Sequence, residues 1–138
     1  MAGLHVNILA VLVSALATFA VGALWYSPAF FGKQWVKAHG YTPEKIEAMK
    51  AGAPRAYGVS LVCYVVVAAA LAVLIERIGI QGVVGGIKLG ALCWLGFAAT
   101  IGLTANMFSE KPLSTYLIDV GYQLVYLVVM SGILVAWR

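Results

Sequence analysis

The stretch from position 4 to position 28 reads LHVNILAVLVSALATFAVGALWYSP. It is apolar almost throughout and stops at Trp25-Tyr26-Ser27-Pro28. A helix that crosses a bilayer needs about 20 residues at about 1.5 Å of rise each. Trp and Tyr collect at headgroup level, because their rings are apolar while the indole N–H and the phenol O–H need polar partners. Pro28 disfavours helical geometry at Ser27, so the helix is expected to end or kink there. The preceding MAGLHVN has no basic n-region, and the apolar run is longer than a signal-peptide core. The expectation is a retained transmembrane helix over about 4–26.

Three further runs read the same way, over about 57–75, 83–105 and 114–137. The composition agrees: 63% of residues are hydrophobic and 10% charged, against about 25% charged in soluble domains. So few charges cannot cover a water-facing surface, and the apolar excess must face lipid. Strands are excluded by the Ala/Leu/Val-rich runs without alternation. The links near 76–82 and 106–113 are short, which makes neighbouring helices antiparallel. The fold class is therefore an all-α integral membrane protein. One domain over 1–138 forms an up-and-down bundle of four transmembrane helices, with a first loop over about 27–56.

Charge placement orients the bundle. Lys33, Lys37, Lys45, Lys50, Arg55 and Lys111 lie on the loop side, against Arg77, Arg138 and Lys88 on the other. The positive-inside rule places the long loop in the cytoplasm and both termini outside. Nucleic-acid binding is excluded by the lack of a dense basic patch. His5 and His39 fall on opposite sides, Cys63 and Cys93 have no CxxC spacing, and neither a metal nor a cofactor is expected. No catalytic constellation is visible, so an enzyme is not expected.

The first loop has structure of its own. Phe30, Phe31, Trp35 and Val36 alternate with Lys33, Gln34 and Lys37, which predicts a short interfacial helix with aromatics toward the membrane and lysines toward the headgroups. Gly40 ends it. Thr42-Pro43-Glu44 then starts a second short helix over about 43–51: Thr as cap, Pro in the first turn and an acid at the positive end of the dipole.

In lipid, helices associate through small residues. The first span carries Ala10, Ser14, Thr18 and Gly22 at intervals of four, and the third carries Gly82, Gly86 and Gly90. At 100° per residue, Cys93, Trp94, Phe97, Thr100 and Thr104 extend that third-span face, and Lys88 falls opposite, toward lipid. Both faces predict tight interfaces, within the chain or between copies.

Polarity is organised only in the fourth span. Tyr116, Asp119, Gln123 and Tyr126 recur at three and four residues, with Tyr122 at the edge. Asp119 is the one acid well inside a span, and a carboxylate there must face the bundle interior, a partner or water. It reads either as a register-fixing hydrogen-bonded group or as a proton- or cation-binding site.

Three stretches then carry a resemblance. Asn7–Val11 with GALWYSP (22–28) and FGKQW (31–35), GALCWLGF (90–97), and IDVGYQL (118–124) resemble the bacterial membrane family catalogued as domain of unknown function 1761. The resemblance implies a small four-helix integral membrane protein and supplies no activity, substrate or cofactor; with the charge bias, the expected location is the bacterial cytoplasmic (inner) membrane. An anchor alone needs Trp or Tyr in almost any order, whereas WYSP followed by FGK fixes a turn. Trp25, Tyr26, Phe31 and Trp35 are therefore expected to form a shaped surface that docks on the chain's own helices or on another protein. Three functional readings follow. The first is a structural or accessory subunit, homo-oligomeric or part of a larger membrane complex. The second is a proton- or cation-linked transporter, channel or ligand-binding protein centred on Asp119. A membrane enzyme acting on lipid or quinone is the third.

Overall fold

The computed structural model describes residues 4–138. They form α1 (Ile8–Trp25), α2 (Gly32–His39), α3 (Pro43–Lys50), α4 (Ala53–Ile78), α5 (Val83–Cys93), α6 (Thr100–Phe108) and α7 (Leu113–Ala136). A wide π-helical segment, Trp94–Ala99, joins α5 to α6 as one continuous rod. Four helices are long and apolar enough to cross a membrane: α1, α4, the α5–α6 rod and α7.

Local chemistry sets the ends. The Asn7 side chain caps α1 by accepting the Ala10 N–H at 3.1 Å. Thr42 caps α3 by accepting the Lys45 N–H at 3.1 Å, with Pro43 in the first turn and Glu44 beside the free amides. Gly40 and Gly79 end α2 and α4 in left-handed geometry. α4 starts at Ala53, with Pro54 in its first turn where no amide partner is needed, and runs on through Glu76 and Arg77. It is thus longer at both ends than its apolar run.

α7 is the centre of the bundle. Over its apolar stretch, 39% of the residues are buried inside the protein, against 17% for the α5–α6 rod. α1, α4 and α5 all pack on it. The end away from the loop is apolar and tightly filled: Ala10, Ala68, Ala72 and Met130 sit among leucines of α4 and α7. That end is also tied at its rim, where Asn7 Nδ2 donates to the Trp137 carbonyl at 3.1 Å and the Arg138 guanidinium donates to the Ile80 carbonyl. The loop-side end is built instead from aromatic and polar groups.

Both small-residue faces are used inside the chain. Ser14 and Thr18 have no exposed surface, and a β-carbon on Gly22 would lie 2.7 Å from the Tyr122 hydroxyl. A β-carbon on Gly86 would lie 2.8 Å from the Ser131 carbonyl oxygen, and one on Gly90 2.6 Å from that of Leu127. The α5 and α7 backbones are in contact there, which only glycine permits.

Two parts of the expected third-span face are corrected. Gly82 is not a packing residue: it precedes α5 at φ 78°, with nothing near its missing β-carbon. Phe97 is 63% exposed, and Thr100 and Thr104 are exposed too. The wide π segment adds a residue to one turn, so a wheel at 100° per residue loses register after Trp94. Ala98, Gly102 and Asn106 take the inward positions. The two threonine hydroxyls bond within their own helix, Thr100 to the Gly96 carbonyl at 2.9 Å and Thr104 to the Thr100 carbonyl at 3.1 Å. They can therefore face lipid without a lost hydrogen bond.

Candidate functional site

The corner after α1 folds on itself. The Ser27 carbonyl accepts the amides of Phe30 and Gly32, both at 3.0 Å, and the Trp25 carbonyl accepts the Phe31 amide at 2.9 Å. Pro28, which has no amide hydrogen, occupies the position where none is required. A β-carbon on Gly32 would lie 2.3 Å from the Tyr26 carbonyl oxygen. No other residue fits, and this close approach turns α2 back onto the bundle.

What α2 meets is Asp119. Its Oδ1 accepts the Tyr26 hydroxyl at 2.6 Å and the Trp35 indole N–H at 3.1 Å. The adjacent backbone takes two more indoles: Trp25 donates to the Ile118 carbonyl at 2.9 Å, and Trp94, from the opposite side, donates to the Val120 carbonyl at 2.8 Å. Gly121 leaves space for the Trp25 ring, 3.1 Å from where a β-carbon would stand. Trp25 stacks in a tilted contact on Phe31 at 4.7 Å, and Tyr26 meets Trp35 edge-on at 6.0 Å. Burial first, and then the Asp119 bond, hold the Tyr26 phenol well above its ordinary value, so it stays protonated and donating.

The shaped aromatic surface therefore docks on the chain's own α7. Phe31 and Trp35 are turned into the bundle and not down into lipid, which corrects the simple interfacial-helix expectation; the hydrogen bonds to Asp119 and the Trp25 ring decide it. Behind Trp35, the His39 ring meets the Trp35 ring at 4.2 Å and stacks on the Tyr41 ring at 4.8 Å, and Trp35 and Tyr41 meet edge-on at 5.5 Å. Its buried Nε2 has no hydrogen-bond partner among the described residues. Burial pushes its pKa down and the Lys111 ammonium adds to this, while Asp119 opposes.

The polar line expected along α7 divides in two. Tyr116, Asp119 and Gln123 line one cleft of about 200 Å³ between α6 and α7. Tyr122 and Tyr126 point elsewhere. The Tyr122 hydroxyl donates to the Thr18 carbonyl at 2.8 Å and, having given up its one proton, accepts from Tyr64 at 3.2 Å. The Tyr126 ring packs on Tyr64 and Tyr122 at 5.4 and 4.9 Å. These rings fill the space between α1, α4 and α7.

Lys111, Asn106 and Thr115 also line the cleft. The sequence shows Lys111 only as one of the loop-side cations and Asn106 only as the start of the short link 106–113, so nothing in it signals that they share a cleft with Asp119. The Tyr116 hydroxyl is committed to the Ala99 carbonyl at 2.6 Å, and Asn106 Nδ2 to the Lys111 carbonyl at 3.2 Å. The Asp119 Oδ2, the Gln123 amide and the Lys111 ammonium make no side-chain bond among the described residues. No ion pair joins Lys111 to Asp119 there, although both face the cleft.

These features define a class: an all-α chain with four helices long and apolar enough to cross a membrane, closed at one end by a folded aromatic loop. The chain belongs to the family described as protein of unknown function (DUF1761), whose profile matches residues 9–135. No curated protein and no solved structure matches it. The three stretches that carry the resemblance are one another's partners: the WYSP–FGK–W corner and Trp94 both close on the turn Ile118–Gly121.

Proposed function

We propose that this is a multi-pass membrane protein that binds a small polar solute at its loop-side end, in the cleft beside Asp119. The solute class is one that bears both an anionic group and a cationic or hydrogen-donating group. One observation carries the reading: a carboxylate and an ammonium of the same chain face one cleft of about 200 Å³ without pairing with each other, and the Gln123 amide lies beside them. Opposite charges left apart in a concave site complement a ligand that carries both signs. Asp119 is held in place by Tyr26 and Trp35, so its free oxygen is pre-aimed. The excess of basic residues on this side supports a cytoplasmic opening in a bacterial inner membrane.

Native mass spectrometry of gently extracted protein tests this. The expected result is a stoichiometric small mass on the wild type that is lost in Lys111→Met and in Gln123→Leu, neither of which touches the loop's hydrogen bonds. No bound mass, together with no melting shift across a panel of zwitterionic solutes, counts against it.

An accessory role in a homo-oligomer or a larger membrane complex is the second reading. The shallow burial of the α5–α6 rod, 17% of its apolar stretch, leaves room for it: Leu92, Leu95, Phe97 and Ile101 form a broad outward apolar face that a partner helix can cover in place of lipid. The glycine and small-residue faces do not support it, since both are filled by α7 or its Tyr122. A partner protein co-extracted in fixed ratio with no small ligand would put this reading first.

A further inference from the structure

We propose a second binding site, separate from the Asp119 cleft, for the phosphate of an anionic phospholipid at the corner between α1 and α2. The groove there has a volume of about 390 Å³ and is lined by Tyr26, Pro28, Gly32, Lys33, Val36 and Lys37. Lys33 and Lys37 are four residues apart on α2, so both ammonium groups stand on one helical face. Both are exposed, and none of the lining residues is acidic.

Position and rigidity separate this groove from a loose basic surface. It adjoins the last turn of α1, where the apolar span ends, so it opens at headgroup depth. The opposite face of α2 is fixed to α7 through Trp35, so the lysines are presented at a constant height. The Tyr26 hydroxyl is spent on Asp119, and only its ring is left to the groove. Pro28 and Val36 give an apolar floor, and the neighbouring Phe30 is 47% exposed. Two cations above an apolar floor match a phosphodiester joined to acyl chains. A neutral zwitterionic lipid brings its own cation and is disfavoured beside two lysines.

The test uses the full chain in vesicles of phosphatidylcholine with a minor share of phosphatidylglycerol, followed by extraction and native mass spectrometry of retained lipid. Wild type is expected to retain phosphatidylglycerol with an enrichment of about thirtyfold, the size expected for two basic side chains beside a lipid phosphate. Lys33→Gln with Lys37→Gln should lose most of it. Lys45→Gln with Lys50→Gln, which removes the same charge from α3, should keep it. An equal loss in both pairs, or no enrichment in wild type, overturns the site. Displacement of the lipid by inorganic phosphate alone assigns the groove to the free ion and overturns the lipid assignment.

Discussion

Between Tyr26 and Gly32 the chain leaves no space for a methyl group, and this decides how the loop sits. Gly32→Ala must push the Tyr26 carbonyl away from a β-carbon 2.3 Å distant, a contact with backbone that no side-chain rotation relieves. The expected cost is about 2 kcal/mol, seen as a lower melting temperature in detergent and a red-shifted Trp fluorescence as Trp35 leaves α7. His39 gives the same contact a pH dependence. Its folded pKa is depressed from the ordinary 6.5 by burial and by Lys111. The unfolded chain then binds a proton that the folded one resists. Its contribution is therefore fully present above pH 6.5 and is lost as pH falls below that value. Trp35 fluorescence against pH checks this, and His39→Gln should flatten the curve. Asp119 is recognisable in the sequence as a costly residue needing a partner. Its partners are not recognisable, because Tyr26 and Trp35 lie 93 and 84 positions away, and a wheel drawn on one helix shows only that helix.

At the scale of elements, α7 and the α5–α6 rod carry the packing. Gly90→Ala sets a methyl group 2.6 Å from the Leu127 carbonyl oxygen and separates two backbones, at an expected cost of about 2 kcal/mol. Gly58→Ala lies on an exposed turn of α4 with nothing within 4 Å. The better helix former there should be neutral or stabilise by about 0.5 kcal/mol. Thermal unfolding of the two variants in one detergent compares them, and equal melting temperatures would contradict the α5–α7 contact. Small residues at intervals of four make Ser14, Thr18, Gly86 and Gly90 legible in the sequence as packing positions. Phe97, Thr100 and Thr104 depart from the wheel for one physical reason, the wide turn at Trp94–Ala99 that rotates everything after it. Apolar periodicity is blind to such a turn, since the residues on both sides of this rod are hydrophobic.

At the scale of the molecule, the four long helices follow from composition and run length alone, because little else can be done with so apolar a chain. The closed loop-side end does not follow from either. It depends on the corner at 25–32 meeting one turn of the last helix, and so joins the two ends of the sequence. Asp119 ties the loop down and thereby shapes the end where the polar cleft opens. Hydrogen–deuterium exchange of the protein in nanodiscs tests it most directly. In wild type and in Lys111→Met, the amides of Gly32–His39 should be protected. In Asp119→Leu they should exchange about 100-fold faster, as two hydrogen bonds to a charged acceptor are lost, while α1 and α7 stay protected. Free exchange of α2 in the wild type, or protection unchanged in Asp119→Leu, would contradict the account.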